Sequence, residues 1–519
     1  RIQAEQITLH LRNPQGDARI FSIYKSACWA IEHDLFDSSF TTLYRGMHAL
    51  LSTPVERQEL LLLQRPPRVN GNRQLRGDYG AFNSLALRVK QAEELFLLIG
   101  PPGTGKTSYG LVNTLKEQLL EPNTNVILMS YTNRAVDEIC SKLEEEQIDY
   151  LRLGSHLSSA EAYHAHLLSE RAGQCAKLTD VEALIKHTRV FVGTTSAFNA
   201  QLSLFDVKQF DLAIIDEASQ ILEPHLVGLL SAHNKRGMAI RKVVMIGDHK
   251  QLPAVVQQDE KDSRVDDPLL HEIGLTNCRL SLFERLLKRY RHDPAVTYLL
   301  TKQGRMHPAI ADFPNRHFYQ GQLEPVPLPH QQRQLEASCE AEGMTALLQG
   351  RRVAFIHVPL PTDSPSDKVN LPEAVLIAQT VAAIYHMRPE RFDPLSTVGI
   401  IVPYRNQIAT IRRCLESYGI PLLQQVTIDT VERYQGSQRD YILYGFTIQR
   451  CYQLNFLTNN VFEEDGCLID RKLNVAMTRA REHLYLFGNA PLLSLNTTFR
   501  KLIEEYSIHS TFNLKQRNE

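Results

Sequence analysis

The chain has 519 residues, which is long enough for two or three domains. Its hydrophobic content of 43% can build proper cores, and its charged content of 22% is ordinary for a globular protein. The 57 Lys and Arg residues nearly cancel the 58 Asp and Glu residues, which excludes a global basic field, so any nucleic-acid partner must be bound in a local groove.

The cysteines and the apolar runs restrict the setting of the protein. The eight cysteines are scattered and form no Cys-x-x-Cys pair. This pattern argues against a zinc or iron–sulfur site and favours a reducing compartment, so we expect a cytoplasmic protein. No apolar run approaches the roughly 18 residues of a membrane span, so we expect no membrane partner.

Residues 1–80 carry no catalytic pattern, and we expect a small accessory segment there, the tail of an upstream domain that packs on the rest of the chain. This stretch contains no pattern that supports nucleic-acid binding. The chain opens on Arg1 rather than Met, which is consistent with a fragment whose upstream domain or targeting signal lies outside it.

From about residue 81, apolar runs alternate with polar turns and helix-like segments, which is typical of buried parallel strands joined by crossover helices. The runs of this first rhythm are 95–99, 126–129, 190–192, 212–215 and 243–246. A polar, turn-rich stretch at 257–280 indicates a linker. The runs of a second rhythm are 353–358, 398–402, 426–428, 441–446 and 484–487. We therefore expect α/β domains at 81–270 and 271–500 and a tail at 501–519.

The first run is followed by the glycine-rich turn Gly100-Pro101-Pro102-Gly103-Thr104-Gly105-Lys106-Thr107 and then by a helix-like segment. Strand, turn, Lys-Thr and helix together form the context of a P-loop, whose N–H groups and helix N-terminus bind phosphate. Lys106 is expected to reach the β- and γ-phosphates, and the Thr107 hydroxyl to hold Mg²⁺. An ordinary glycine turn is the alternative, which this flanking disfavours. The turn predicts binding of a nucleoside triphosphate.

Two acidic clusters follow later strands of the same domain, at the edge where function collects in such sheets. Asp216 ends one strand and is expected to be the second Mg²⁺ holder, with Glu217 placed to orient or deprotonate the attacking water. In the cluster after the next strand, Gln251 is expected to hydrogen-bond the γ-phosphate or the water. His249 is expected to be a loop histidine rather than a base.

Hydroxyl and amide side chains follow two further strands, at Thr132-Asn133 and Thr194-Thr195. Such groups can bond phosphates along a nucleic-acid strand without reading bases. They can equally cap the helices that follow, and the spacing alone favours neither.

Seven clusters together resemble superfamily 1 helicases of the 5′→3′ branch, in the group of the nonsense-mediated-decay helicase and the replication nuclease–helicase. In chain order they are GPPGTGKT (100–107), SYTNRAVDEI (130–139), DEAS (216–219), GDHKQLPAVV (247–256), QGRMHP (303–308), TVERYQGSQRD (430–440) and LNVAMTRAR (473–481). The resemblance covers about residues 81–490 and implies two tandem RecA-like P-loop NTPase domains, parallel sheets flanked by helices.

The resemblance also implies residue roles. Gln251 would sense the γ-phosphate, and Arg305 and Arg479 would act as arginine fingers, worth roughly 10³–10⁵ in rate in related systems. A surface salt bridge is the alternative for either arginine. Strand-binding positions are implied at Thr132, Asn133, Thr194, Thr195, Pro403, Tyr404 and Thr430. Tyr404 is expected to stack on a base or to be a buried tyrosine.

Asn370 and Glu373 also resemble a family pair, but a helix-capping role is favoured there. Three departures from the family pattern, Gly304, Gln438 and Asn83, all concern base or ribose. With Gly436 of the TVERYQGSQRD cluster, Gln438 and Asn83 are the remaining expected nucleotide contacts. We expect a site that discriminates weakly among nucleoside triphosphates.

The function implied is an ATP-dependent helicase or translocase with ATP and Mg²⁺ as cofactors, moving 5′→3′ on single strands as a monomeric motor, with DNA favoured over RNA. The alternative is a nucleic-acid-stimulated ATPase that remodels a protein partner as a clamp or switch without unwinding. A P-loop ATPase unrelated to nucleic acid is disfavoured by the TVERYQGSQRD and LNVAMTRAR clusters.

Overall fold

The computed structural model describes residues 2–3, 6–7, 39–335, 342–364 and 366–508. The chain divides into two compact units, Arg1–Thr42 and Leu43–Glu519. In the first unit, Ile2–Gln3 pairs antiparallel with Gln6–Ile7; residues 8–38 of the expected accessory segment lie outside the described residues. Across the described ranges, no helix combines the length and apolarity needed to cross a membrane.

The larger unit contains a first sheet of seven parallel strands, ordered β7-β1-β6-β5-β2-β4-β3. The strands are β1 Leu95–Ile99, β2 Val126–Ser130, β3 Leu151–Leu153, β4 Val190–Thr194, β5 Phe210–Ile215, β6 Ile240–Gly247 and β7 Thr297–Leu299. Every side chain of β1 and β2 is buried, as expected where helices cover both faces of a parallel sheet.

Helices and short turns of helix surround this sheet. They are Ser39–Ser52, Val55–Leu61, Gly80–Phe82, Asn83–Gln91, Lys106–Leu111, Val112–Leu119, Asn133–Glu145, Glu161–His166, Leu168–Gly173, Leu178–His187, Thr195–Ala200, Leu204–Val207, Ala218–Gln220, Glu223–Leu230, Lys261–Ser263, Pro268–Glu272 and Leu282–Tyr290. A small hairpin pairs His233–Asn234 with Gly237–Met238.

Residues 43–80 pack on this sheet rather than apart from it. Leu60 and Leu61 belong to the buried cluster beneath it. The buried Arg57 guanidinium donates to the carbonyl oxygens of Ile240 and Arg241 at 2.7 and 2.8 Å. These contacts attach the segment to the first residues of β6.

The first sheet also extends past the expected boundary at residue 270. β7 pairs in parallel with β1, and the helix Leu282–Tyr290 buries its apolar face in the same core. The polar stretch 257–280, which indicated a linker between domains, therefore lies within the part of the chain that builds the first sheet and its core. We call residues 43–300 lobe 1 and residues 301–508 lobe 2.

Lobe 2 is built on five parallel strands ordered β8-β12-β11-β9-β10. The strands are β8 Val353–His357, β9 Val398–Ile401, β10 Thr427–Asp429, β11 Arg439–Gly445 and β12 Ala480–Gly488. Its helices are Pro308–Phe318, Pro329–Gln332, Gly343–Gly350, Leu371–Met387, Pro389–Arg391, Arg405–Glu416, Pro421–Gln424, Val431–Tyr434, Gln453–Leu457, Arg471–Met477, Ala490–Leu493 and Thr497–Tyr506.

Two further strand pairs complete lobe 2: Lys302–Gln303 with Glu324–Pro325, and Val461–Glu464 with Cys467–Asp470. The last helix, Thr497–Tyr506, buries Leu502 and Ile503 in the core of lobe 2. It therefore crosses the expected start of the tail at 501, and residues 509–519 lie outside the described part of the chain.

All ten apolar runs form strands, and the predicted α/β fold of two parallel sheets flanked by helices is confirmed. The short strands β3 and β7 are additions to it. The carboxyl ends of β1, β5 and β6, neighbours in the first sheet, bring the candidate residues together.

Candidate active site

The glycine-rich turn leaves the carboxyl end of β1 in the predicted P-loop conformation. Gly103 and Gly105 have φ of +76° and +73°, a region that side chains rarely adopt, so both positions need glycine. The Thr104 hydroxyl donates to the Pro101 carbonyl at 2.7 Å, which closes the turn on itself. The loop thus places its backbone before a helix that begins at Lys106.

The absent side chain of Gly100 leaves room for Lys106. A Cβ on Gly100 would lie 2.7 Å from the Cβ of Lys106, so only glycine lets the lysine stem fold back across the loop. A cradle bounded by a lysine and a helix N-terminus fits the phosphates of a nucleotide. The first turns of that helix, Lys106–Leu111, are π-helical before regular α-helix continues to Leu119.

The two predicted ion holders meet directly. The Thr107 hydroxyl donates to Asp216 Oδ2 at 2.5 Å, and Asp216 is buried at the carboxyl end of β5. Hydroxyl and carboxylate oxygens suit Mg²⁺, which keeps several waters and takes few protein ligands. Among the described residues no group of three or more His, Cys, Asp or Glu side chains could hold a metal alone. An ion here would take its other ligands from phosphate and water.

Glu217 has an unusual backbone and a perturbed carboxyl group. Its φ is +53°, and its N–H donates to Asp216 Oδ1 at 2.8 Å. Burial raises the pKa of its carboxyl to about 7; the charge of Lys106 opposes this, and those of Asp216 and Glu138 add to it. A carboxyl poised near neutrality is suited to accept a proton from water.

Gln251 lies in the loop Gly247–Leu252 that follows β6, which we call the β6 loop. Its Nε2 donates to Asp248 Oδ2 at 2.8 Å, while its Oε1 accepts from Arg479 Nη2 of lobe 2 at 3.0 Å. The β6 loop therefore forms a direct polar link between the lobes. Leu252 adds an apolar link, because it is buried in the core of lobe 2 beside residues such as Ile310.

A second chain of hydrogen bonds runs parallel to this link. Tyr319 of lobe 2 donates its hydroxyl hydrogen to Asp248 Oδ2 at 2.8 Å. Asn474 donates to the Tyr319 hydroxyl at 2.8 Å and to the Lys250 carbonyl at 2.7 Å. Sequence reasoning did not single out Tyr319 or Asn474, although Asn474 lies within the LNVAMTRAR cluster.

Arg479 is buried with neutral acceptors. Besides Gln251, it donates to the Val475 carbonyl at 3.1 Å and to the Thr478 hydroxyl at 3.3 Å. Burial, reinforced by the nearby charge of Arg305, lowers the pKa of its guanidinium to about 9. This is an interior cation, not a member of a surface salt bridge.

The backbone of Gly304 and Arg305 packs against Gly103 of the P-loop. The neighbouring Gly304 N–H donates to the Gly103 carbonyl at 2.8 Å, and a Cβ on Gly103 would lie 2.5 Å from the Cβ of Arg305. Its Nε donates to Gln438 Oε1 at 2.9 Å. The segment that connects the lobes thus carries a guanidinium to the edge of the phosphate cradle.

The expected base and ribose contacts have other partners in this structure. Asn83 accepts from the Tyr79 N–H at 2.7 Å and donates to Asp78 Oδ1 at 2.7 Å. Gln438 is bound to Arg305, and Gly436 has φ of +81°. A Cβ on Gly304 would lie 3.0 Å from a methyl carbon of Leu328, so this leucine limits the space beside Gly304.

Two of the four candidate strand-binding residues of lobe 1, Thr132 and Thr194, act as helix caps. The hydroxyls of Thr132 and Thr194 accept from backbone N–H groups three residues on, at 3.2 and 3.1 Å. Asn133 is exposed beside Thr132, whereas Thr195 is buried at 2% exposure. A capping hydroxyl keeps its own hydrogen to donate, so capping and phosphate contact are compatible at Thr132.

In lobe 2, Pro403 and Tyr404 follow β9, and Thr430 follows β10. The Tyr404 ring stacks on Phe456 with ring centroids 5.2 Å apart, and its hydroxyl accepts from Gln453 at 3.2 Å. Tyr404 is half-buried, between the two expectations for it.

The favoured capping role of Asn370 is confirmed. Its Oδ1 accepts from the Glu373 N–H at 3.0 Å. The Glu373 carboxylate is buried and accepts from the Thr447 N–H and hydroxyl at 2.8 and 2.7 Å. Thr447 has φ of +48°, rare for a β-branched residue, so the carboxylate supports a strained turn at the end of β11.

Comparison with known proteins shows which families the sequence of this chain matches. Residues 278–491 match an AAA domain family, and residues 83–180 and 169–259 match a second AAA domain family. The DNA replication ATP-dependent helicase/nuclease DNA2 of Xenopus laevis is 29% identical over 443 residues, which are 80% of this chain and 38% of that protein. Regulator of nonsense transcripts 1 of Dictyostelium discoideum is 27% identical over 457 residues, 79% of this chain and 31% of that protein.

The chain belongs to the superfamily 1 helicases, in the nonsense-mediated-decay and DNA2 group. This helicase chain spans well under half the length of the curated relatives it matches. A solved arterivirus nonstructural protein 10 helicase with DNA is similar at 14% identity and a TM-score of 0.39, covering 78% of this helicase chain and 61% of the viral one.

Proposed function

We propose that the chain is the motor of an ATP-dependent DNA helicase, which hydrolyses ATP to move along a single strand and unwind duplex. The observation that carries the proposal is the composite site: a P-loop in lobe 1, with Arg305 against Gly103 and Arg479 bound to Gln251. A site completed by two lobes is what coupling of hydrolysis to movement requires.

Each side chain has a chemical role in hydrolysis. Lys106 binds the β- and γ-phosphates, and Thr107 and Asp216 hold Mg²⁺, which neutralises phosphate charge. Glu217 accepts a proton from the attacking water, because a carboxylate whose pKa is raised to about 7 is a stronger base than an ordinary glutamate. Arg479 and Arg305 offset the charge that develops on the transferred phosphoryl group.

The β6 loop transmits the state of the nucleotide. Gln251 lies between the phosphate side of lobe 1 and Arg479 of lobe 2, so a change at the γ-phosphate alters a bond between the lobes. Thr132 and Asn133 in lobe 1 and Tyr404 in lobe 2 contact the strand. Alternate closing and opening of the lobes then advances the protein, 5′→3′ by family resemblance.

The track is single-stranded DNA. This choice rests on the relatives named DNA replication helicases, at up to 30% identity. The proposal includes Mg²⁺ as the ion, one chain as the motor and a cytoplasmic setting, the last from the scattered cysteines. Selectivity for the base is weak, because Asn83 and Gln438 are bound elsewhere. ATP hydrolysis should exceed that of GTP and CTP by less than about tenfold at matched concentration.

The test compares strand displacement on 5′-tailed and 3′-tailed duplexes with ATPase activity stimulated by matched single-stranded DNA and RNA. Lys106→Ala should abolish hydrolysis, and Glu217→Gln should bind nucleotide and DNA without turnover. ATPase stimulation without displacement on either duplex would favour the clamp or switch instead. No stimulation by any polynucleotide would refute a nucleic-acid motor.

A further inference from the structure

A hairpin of lobe 2 contacts the β6 loop through Glu464. Its strands, Val461–Glu464 and Cys467–Asp470, are joined by a tight turn in which Asp465 and Gly466 have φ of +51° and +75°. An Asp-Gly turn of this kind fixes the register of the two strands. The turn therefore determines where Glu464, the last residue of the first strand, points.

Glu464 binds three side chains of lobe 1, namely His249, Lys250 and Arg291. Its carboxylate lies 2.9 Å from His249 Nε2 and 2.9 Å from Lys250 Nζ, and it also pairs with Arg291. Although burial alone would raise it, these partners lower the pKa of the Glu464 carboxyl to about 2. The carboxylate is therefore charged throughout the physiological range.

Two of these partners belong to the β6 loop. His249 and Lys250 lie between Asp248 and Gln251, the residues of the polar link to Arg479. Arg471, which follows the hairpin, donates to the His249 carbonyl at 2.8 Å, so the loop is bound through side chain and backbone.

One edge of the β6 loop borders a cavity. The cavity has a volume of about 560 Å³, and its lining includes His249, Pro253, Phe462 and Glu464. At this edge the Glu464 carboxylate contacts the side chains of His249 and Lys250. Other polar contacts of the loop with lobe 2 reach Asp248, Gln251 and the backbone.

We propose that Glu464 is a positioning residue for ATP hydrolysis: by binding His249 and Lys250 it fixes the β6 loop so that Gln251 meets Arg479. The proposal rests on the proposed function, since it assigns a role within that site. It makes the hairpin a second element of lobe 2, besides Arg479 and its neighbours, that positions the nucleotide-sensing loop.

The test uses Glu464→Gln, which keeps the shape and removes the charge, with Glu463→Gln as the matched control. Glu463 is the exposed neighbour on the same strand and undergoes the same charge change. We expect Glu464→Gln to lower kcat for DNA-stimulated ATP hydrolysis about tenfold or more, with KM for ATP within about threefold. Glu463→Gln should stay within about twofold of the parent, and Glu464→Asp should recover part of the loss.

A second measurement does not depend on hydrolysis. Amide hydrogen exchange in the peptide 247–256 should be faster by about fivefold or more in Glu464→Gln and unchanged in Glu463→Gln. Unchanged exchange in Glu464→Gln, or equal kinetic losses in both variants, would overturn the proposal. An inactive parent protein would instead refute the proposed function, while the exchange comparison would still decide whether the hairpin fixes the loop.

Discussion

Replacement of Arg479 by alanine tests the composite site most directly. The guanidinium is 2% exposed and donates to the side chains of Gln251 and Thr478 and to the Val475 carbonyl. All three acceptors are neutral oxygens. The guanidinium is therefore bound by neutral dipoles and not by an anion. A phosphoryl group in transfer would supply an anion to pair with it.

The size of the effect follows from the guanidinium's pKa. Burial and the charge of Arg305 lower the pKa of the guanidinium from 12.5 to about 9. This shift corresponds to about 5 kcal/mol that disfavours the charged form. If the developing phosphate charge relieves most of that energy only in the transition state, the loss of the cation should lower kcat by about 10³. This value lies at the lower end of the range of about 10³–10⁵ for arginine fingers.

The assay is single-turnover phosphate release with saturating single-stranded DNA, together with the dissociation constant of a fluorescent ATP analogue. Arg479→Ala should lower the rate by about 10³ while weakening binding by less than about tenfold. The control is Arg500→Ala, because Arg500 is an exposed arginine of the same lobe that lies outside the seven sequence clusters and donates to the Ser494 carbonyl at 2.8 Å. A loss below tenfold, or a loss expressed only in nucleotide binding, would refute the reasoning.

Two further substitutions test the P-loop glycine Gly103 and the buried carboxyl of Glu373. Gly103→Ala should lower kcat/KM at least about 100-fold with a change in Tm of only a few degrees, because its methyl would meet Arg305 and φ is +76°; near-parent activity would contradict this. The Glu373 carboxyl has its pKa raised from 4.5 to about 7, chiefly by burial, so the folded state keeps a proton that the unfolded state releases. Stability should therefore fall as pH rises from about 5 to 7, by up to about 3 kcal/mol from this group. Denaturation at pH 5 and pH 8 should show that fall reduced in Glu373→Gln; an equal fall in both proteins would contradict the assignment.

Local patterns were sufficient to predict the sheets and the phosphate site. Each long strand is a continuous apolar run, because both faces of a parallel sheet are buried, and the P-loop lies on contiguous residues. β3 and β7 were not predicted, because neither is a continuous apolar run: Arg152 lies at the centre of β3, and Thr297 begins β7. The boundary of lobe 1 was misplaced because a polar stretch precedes a helix whose apolar face packs back on the first sheet.

Contacts between the lobes could not be derived from local pattern. Asp248 and Tyr319 are 71 residues apart and meet only because the lobes face each other. The hairpin did carry a readable signal, the Asp465-Gly466 dipeptide between two short runs. No local pattern identified the partners of Glu464 in lobe 1, because contacts between residues far apart in the chain depend on how the lobes pack.

The segment from Thr301 to Arg305 is at once the covalent connection between the lobes and the bearer of a guanidinium at the P-loop. It leaves β7, touches Gly103 through the Gly304 N–H and enters the helix Pro308–Phe318. Because this one segment connects the lobes and carries Arg305, we expect separation of the lobes to move Arg305 away from Gly103. Extra residues inserted between Thr301 and Arg305 should leave both lobes folded but weaken this coupling.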